Sequence, residues 1–273
     1  MERPLHTQAA PAPLARIRPV ALPTEHGGWG FLVEPIILGL LLAPSAAGAL
    51  LGTAAIGVFL LRHPLELALT DWQKGKRFPR TALAERFAAL YALVALIGFL
   101  GAVATAQAPF WAALALGAPL ALVQLSYDLR KQKRALVPEL AGAGALAASA
   151  PAILLAAGWE LAPALAVWAV LAARAWPAIL YVRARIRRLR GAPSDSRPAI
   201  AAHVAALLAV CGLVYAGLAP WAAALALAGM LGRALYGLSP RRPAVAPKVI
   251  GFTELGLGAL TVALAAAGWL LGH

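Results

Sequence analysis

Residues 87–106 read FAALYALVALIGFLGAVATA, a stretch of twenty residues without a charged side chain. An α-helix of this length spans about 30 Å, which is the thickness of the hydrocarbon core of a bilayer. Because lipid offers no hydrogen-bond partners, the backbone of a spanning segment must satisfy its own N–H and C=O groups. The stretch therefore predicts a transmembrane helix.

Similar apolar stretches recur to the end of the chain. Of its 273 residues 62% are hydrophobic and 13% are charged, and the mean hydropathy is +0.77, which is more apolar than a soluble domain can bury. Polar or proline-marked breaks divide the chain into nine candidate spans, at residues 29–44, 46–62, 87–106, 109–126, 138–157, 161–182, 199–217, 220–236 and 252–271. The first two spans are short and are joined by Ala43-Pro44-Ser45, so a count of eight stays open. We predict an all-α transmembrane helical bundle in one domain, residues 29–273, after a flexible cytoplasmic segment, residues 1–28.

The cationic residues indicate how the bundle is oriented. Of the 24 Lys and Arg residues, 23 lie in or beside segments that alternate spans place on one side of the membrane, here called the basic side. Only Arg174 is assigned to the interior of a span. The positive-inside rule makes the basic side cytoplasmic, with the N-terminus inside and, after nine spans, the C-terminus outside. The net charge of +13 is spread over short loops beside apolar helices, which favours contact with anionic lipid headgroups over nucleic-acid binding.

Acidic residues are fewer, and ten of the eleven also belong to the basic side. An ionised carboxylate just inside a helix end is costly unless it is paired or faces a wet cavity. The first such group is Glu25 and His26, followed by glycines, Trp29 and Glu34. We assign Glu25, His26 and Glu34 as candidate ligand-binding residues. The alternative is an interfacial entry into the first span, which we favour for Trp29.

A second group follows span two. If the helix resumes after Pro64, Glu66 shares a face with Thr70, and Asp71 lies beside them. His63 precedes Glu66 by about one turn, and Lys74 opens a cationic loop. Such a group can bind phosphate through its cations, or through a divalent metal held by Glu66 and Asp71. A charge-balanced cytoplasmic loop is the alternative.

Asp128 follows span four, next to Arg130, and Glu139 opens span five. Pairing of Asp128 with Arg130 or Arg134 is one interpretation. A metal role would instead require Glu139 or Asp71 to lie close to Asp128. The candidate catalytic residues are therefore Glu66, Asp71 and Asp128, while Arg130 and Glu139 are candidate ligand-binding residues.

Arg174 lies two to three turns deeper than Arg183, at a depth where a cation needs a carboxylate or an anionic ligand. Glu34 or Glu66 across the bundle is a candidate partner. Arg183 is a candidate anion ligand, although arginines at a helix end commonly serve orientation alone. Glu254, at the basic-side entrance of span nine, completes the candidate ligand-binding residues.

Six local patterns in order resemble the YwiC-like family of bacterial integral membrane proteins, from about residue 22 to residue 271. The patterns are Glu25-His26-Gly27-Gly28-Trp29-Gly30, the run from Pro64 to Thr81, Tyr127-Asp128-Leu129-Arg130, Pro138-Glu139-Leu140-Ala141-Gly142, Tyr181-Val182-Arg183-Ala184-Arg185, and Gly251 with Glu254. The resemblance implies a multi-pass protein of the bacterial cytoplasmic (inner) membrane. That family has no established biochemical activity.

The layout is also similar, more distantly, to UbiA-type intramembrane prenyltransferases, which bind Mg²⁺ and a prenyl diphosphate through Asp-rich motifs after spans two and six. Here Glu66 and Asp71 stand five apart instead of in the N-D-x-x-D pattern. Arginines at 183, 185 and 187 occupy the second motif. The degenerate motifs weaken the expectation of Mg²⁺, whereas guanidinium groups still bind phosphate without a metal.

These observations lead to a first hypothesis: a UbiA-like bundle that binds a lipid-linked or other phosphate-bearing ligand in a cytoplasm-facing cavity. If it is an enzyme, we expect an intramembrane prenyltransferase-like transferase. The alternative is a small-solute or ion transporter, suggested by Glu34 and Arg174 inside spans, although no internal repeat supports it. A non-catalytic scaffold is the third hypothesis.

Overall fold

The computed structural model describes residues 17–23, 26–132, 134–239 and 245–272, and the backbone alone of His26. Within these ranges the chain forms helices and turns, with no β-strand. The helices are α1 Arg18–Ala21, α2 His26–Leu42, α3 Ala46–Gln73, α4 Pro79–Thr105, α5 Trp111–Leu129, α6 Leu136–Ala147, α7 Ser149–Ala156, α8 Leu161–Leu189, α9 Arg197–Tyr215, α10 Trp221–Gly237 and α11 Pro247–Leu270. The prediction of an all-α helical bundle is confirmed.

Each of the nine predicted spans corresponds to one helix, except span five, which is divided into α6 and α7 at Ala148. Pro151 has no N–H to donate to the carbonyl of Ala147 one turn earlier, and the Ser149 hydroxyl donates to the carbonyl of Leu146 at 2.7 Å. With α6 and α7 taken together, seven described segments are long and apolar enough to cross a membrane. The 17-residue helices α2 and α10 are at the lower end of the spanning range.

Several helices extend farther on the basic side than hydropathy predicts. Helix α3 continues through Pro64 to Gln73, and α4 begins at Pro79, eight residues before the predicted span. With 28, 27 and 29 residues, α3, α4 and α8 are about 40–44 Å long, well beyond the ~30 Å hydrocarbon core. Lys, Arg and Glu are good helix formers, so the charged segments lengthen these helices instead of ending them.

The core of the bundle consists of α2, α6, α7 and α8, with α4, α5 and α9 on the outside. In the most apolar part of the α6–α7 segment 72% of the residues are buried, against 17% in α5 and in α9. Leu38, Ile153 and Val167 are fully buried at the centre. The outer helices instead expose large apolar side chains such as Leu122 and Leu208, which is the pattern of a lipid-facing surface.

Helices α3 and α4 form a hairpin held together by small residues. A Cβ atom built at Gly98 would lie 2.7 Å from the carbonyl oxygen of Leu50 and 2.8 Å from the backbone nitrogen of Ala54. One at Gly57 would lie 2.7 Å from the backbone nitrogen of Ala95. Helices without a hydrophobic driving force between them associate through such close backbone approach.

Replacing Gly98 by Ala tests this close contact. We expect Gly98→Ala to lower the free energy of unfolding by about 1–3 kcal/mol, because backbone atoms cannot give way to the added methyl group. Gly212→Ala in α9 is the matched control, because its Cβ would meet nothing within 4 Å. Thermal unfolding in detergent measures both, and equal effects would contradict the assigned contact.

Reporter fusions test the predicted orientation and the count of nine crossings together. We expect a green fluorescent protein fused to the C-terminus to be dark and an alkaline phosphatase fused there to be active. Nine crossings place the C-terminus outside, where the phosphatase folds into its active form and the fluorescent protein does not. The opposite result would favour eight crossings. A fluorescent fusion at the N-terminus is the internal control.

Candidate functional site

The deepest charged contact joins α2 to α8. Arg174 Nη2 lies 2.9 Å from Glu34 Oε1, and the two side chains are only 3% and 8% exposed. Of the two partners considered for Arg174, the structure places Glu34 beside it. The ring of Phe31 lies 5.3 Å from the Arg174 guanidinium and lines another side of it. Pairing is what allows two charges to be buried in an apolar bundle.

Helix α11 approaches this pair at Gly258. A Cβ atom at this position would overlap both Glu34 Oε1 and Arg174 Nη2. Gly258 therefore makes room for the ion pair, a role that goes beyond the packing expected from the glycines around Glu254. No side chain larger than hydrogen fits there without moving one of the two charges.

Glu254 links this pair to a second arginine. Arg174 Nη2 donates to the backbone carbonyl of Glu254 at 2.7 Å, and Arg233 Nη2 donates to Glu254 Oε2 at 2.7 Å. The Arg233 guanidinium also stacks on the Tyr181 ring, 3.8 Å from its centroid. We call Glu34, Arg174, Glu254 and Arg233 the charged network. It connects α2, α8, α11 and α10.

A small cavity of about 50 Å³ adjoins the charged network between the basic-side parts of α8, α10 and α11. Its polar lining is formed by Tyr181, Arg185, Arg233, Tyr236, Thr253 and Glu254. Arg185 is only 4% exposed. Two arginines and one glutamate thus line the cavity, and guanidinium groups are strong donors to anionic groups.

Several polar atoms at this cavity are buried without a hydrogen-bond partner among the described residues. They are Nε and Nη1 of Arg233 and Oε1 of Glu254. Most buried polar atoms in proteins are hydrogen-bonded, because leaving one unpaired is costly. Such atoms next to a cavity indicate a place where a polar ligand group would gain contacts.

Asp71 and Asp128 lie elsewhere, each against an arginine of its own. The Asp71 carboxylate is fully buried and accepts from Arg80 Nη2 at 2.8 Å, from Arg80 Nε at 3.3 Å and from the Thr81 hydroxyl at 2.8 Å. Asp128 pairs at 3.0 Å with Arg62, an arginine from α3 that was not among the partners considered from the sequence. Neither carboxylate is part of the charged network.

The remaining sequence candidates are distributed over the basic side. Glu139 pairs with Arg183 at 2.8 Å, with both side chains more than a third exposed, and Arg183 also donates to the carbonyl of Arg134. His63 Nε2 lies 3.0 Å from the carbonyl oxygen of Pro19. Glu66 is half-buried on α3, and Lys74 and Arg130 are exposed. Glu25 and the side chain of His26 lie outside the described residues.

The structure therefore unites Glu34, Arg174 and Glu254, whereas Asp71, Asp128 and the pair of Glu139 with Arg183 form separate contacts elsewhere. Within the described ranges, no group of three or more His, Cys, Asp and Glu residues is placed to hold a metal ion. Both Asp71 oxygens accept from Arg80 or Thr81, so a metal at Glu66 and Asp71 would have to share that carboxylate with the adjacent Arg80 guanidinium. The metal site stays a prediction.

Apart from Glu254, sequence reasoning missed the polar residues that line the cavity. Arg233 was grouped with the cations between spans eight and nine, but it lies within α10, as the predicted span 220–236 already implied. Arg185 is one of several arginines at the end of span six and was not singled out as a site residue, although its spacing of four from Tyr181 puts both on one helical face. His203, a lone histidine in an apolar span, is also buried and lies 2.7 Å from the Ala199 carbonyl.

Comparison with known proteins gives a family match for part of the chain and indicates no activity. The family model described as YwiC-like protein matches residues 22–154, which confirms that resemblance over this part of the chain. The matched stretch contains Glu34 and ends within α7, so Arg174, Arg233 and Glu254 lie beyond it. No curated protein and no solved structure matches the chain, and the resemblance to UbiA-type enzymes stays a prediction.

Changing one member of the buried pair tests its importance. We expect Glu34→Gln to cost about 3–5 kcal/mol of unfolding free energy, because it leaves the Arg174 charge buried without its carboxylate. Glu85→Gln is the matched control, because Glu85 pairs with the exposed Arg77 and such surface pairs contribute only about 0–1 kcal/mol. Thermal unfolding in detergent compares the two, and equal losses would contradict a special role for the buried pair.

Proposed function

We propose that this chain, a YwiC-like membrane protein over residues 22–154, binds a lipid-linked anionic ligand between the basic-side ends of α8, α10 and α11. One observation carries the proposal: a cavity inside an apolar bundle is lined by the buried Arg185, by Arg233, whose Nε and Nη1 atoms are buried, and by the carboxylate of Glu254. If the protein is an enzyme, transfer of a prenyl or related lipid group is the first reaction to test.

The charge of the cavity supports an anionic ligand. Cations within membrane helices are rare and almost always meet a carboxylate, a backbone carbonyl or a ligand. Arg174 meets both the Glu34 carboxylate and the Glu254 carbonyl through Nη2, whereas Arg233 uses Nη2 on Glu254 and has two further nitrogens, Nε and Nη1, buried without a partner among the described residues. Phosphate and carboxylate groups are the natural acceptors for such donors.

The apolar part of the cavity supports a ligand with a hydrocarbon tail. Val245, Val249 and Ile250 line the cavity beside its polar residues. Val249 is also 51% exposed, so the cavity lies next to the outer surface of α11. A lipid-linked anion would place its head near the arginines and its tail along this apolar edge.

A transport function is the second candidate. The charged network alternates acid and base through α2, α8, α11 and α10, and chains of ionisable groups inside a membrane commonly mark ion or proton pathways. In this reading Glu34 and Glu254 would exchange partners as a solute passes. Proteoliposomes that accumulate a solute under a pH or voltage gradient, and lose uptake in Glu34→Gln, would favour transport.

Mass spectrometry of lipids retained by the gently purified protein tests ligand binding. We expect the wild type to carry a phosphate- or carboxylate-bearing lipid, and Arg233→Gln to carry at least about tenfold less, since a charged hydrogen bond contributes roughly 1.5–3 kcal/mol. Arg185→Gln leaves the Arg233–Glu254 pair unchanged and should also lose ligand.

Arg77→Gln is the matched control, because this arginine is exposed, lies away from the cavity and pairs with Glu85. Its lipid content should equal that of the wild type. The melting temperature of each variant separates lost binding from lost folding. A wild type that retains no anionic lipid, or a folded Arg233→Gln variant that retains as much as the wild type, would contradict the proposal.

A further inference from the structure

Glu254 occupies the acceptor position on Arg233 that an external anion would need. Its Oε2 accepts from Arg233 Nη2 at 2.7 Å, and Oε1 is buried without a hydrogen-bond partner among the described residues. Carboxylate and phosphate oxygens bind the same donors of a guanidinium group. The side chain of Glu254 is therefore an internal counterpart of an anionic ligand.

Arg233 is held in place by contacts other than this carboxylate. The Tyr181 ring lies under its guanidinium, and Tyr181 packs so closely on Gly237 that a Cβ atom there would overlap the ring. This stack orients the arginine whichever anion it binds. An exchange of partner at Arg233 thus needs no movement of α8 or α10.

The size of the cavity limits the anionic group. A volume of about 50 Å³ compares with the 10–15 Å³ or so that one water requires, so the cavity has room for about three to five water-sized atoms. A phosphate monoester presents three terminal oxygens around one phosphorus. A diphosphate has about twice that bulk, so its second phosphate would extend beyond this space towards the open side of the cavity.

We infer that this cavity binds a single phosphate group, and that the Glu254 carboxylate competes with that phosphate for Arg233. The phosphate would lie between Arg185 and Arg233, and Glu254 would release Arg233 as the phosphate binds. This inference rests on the proposed function, because it names the headgroup of the lipid-linked ligand. The inference also says that the Glu254 side chain weakens binding of the phosphate, whereas a residue that contacts the ligand favourably would strengthen it.

The exchange leaves the rest of the charged network intact. Arg174 donates to the backbone carbonyl of Glu254, and this contact does not depend on the side chain. Glutamine has the shape of glutamate without its charge. Glu254→Gln therefore removes the competitor while it keeps the contact between α8 and α11.

Binding assays on the full-length protein in lipid nanodiscs test the inference with four probes: geranyl monophosphate, geranyl diphosphate, inorganic phosphate and geraniol. We expect the wild type to bind the monophosphate most tightly. In Glu254→Gln its Kd should fall about tenfold, because the phosphate no longer displaces a charged hydrogen bond, and in Arg233→Gln it should rise at least about tenfold. Glu85→Gln, which removes a carboxylate from a surface pair, should leave it unchanged.

The outcomes separate this inference from the proposed function. Unchanged or weaker monophosphate binding in a folded Glu254→Gln variant would overturn the competition, and tighter binding of the diphosphate would overturn the single-phosphate site. Both results would leave the proposed function standing. Inorganic phosphate that binds as tightly as geranyl monophosphate would support the phosphate site and contradict a lipid-linked ligand, and failure of every probe would contradict both.

Arg185→Gln keeps the inference testable if Glu254→Gln does not fold. This variant leaves the Arg233–Glu254 pair in place and removes a guanidinium from the cavity lining. Monophosphate binding should weaken by about tenfold or more in this variant. Unchanged binding would overturn the phosphate site by itself.

Discussion

The cost of burying the Arg174 charge is the constraint on which the centre of this bundle depends. An arginine that is 3% exposed among apolar helices must be given acceptors, and α2 supplies the Glu34 carboxylate while α11 supplies the Glu254 carbonyl. These contacts fix how α2 and α11 meet α8. They also explain why α11 carries glycine at position 258, since any larger residue would displace the pair. The core is thus specified by one charge as much as by apolar packing.

The sequence predicted the all-α class and the approximate places of the spans, because hydrophobicity and length decide them in lipid. Eight of the nine predicted spans correspond to one helix each, including the first two, and span five corresponds to α6 and α7. The helix ends were predicted poorly at α3, α4 and α8. Hydropathy reports where a helix leaves the hydrocarbon, whereas the ends of a helix depend on capping and turn residues, and these three helices continue beyond the apolar stretch.

The sequence predicted only the most constrained part of the candidate site. Arg174 and Glu34 stood out because deep charges in spans require partners, and the structure pairs them. The carboxylates nearer the basic side each had several arginines within reach, so sequence could not decide that Asp71 pairs with Arg80 or Asp128 with Arg62. Arg233 and Arg185 could not be recognised from the sequence. The chain has 24 Lys and Arg residues, and in sequence the arginines that line a cavity resemble the cations that orient the chain.

The difference in burial between inner and outer helices has a consequence for how this sequence can vary. In the most apolar stretch of α5 and of α9 only 17% of the residues are buried. Most side chains there must therefore be apolar, but they need not fit a particular shape. Leucine, isoleucine, valine and phenylalanine are nearly interchangeable on such a surface. In α8, by contrast, 61% are buried, and a change of one methyl group alters the fit to several neighbours. We therefore expect the amino-acid sequence to diverge faster in α5 and α9 than in α8.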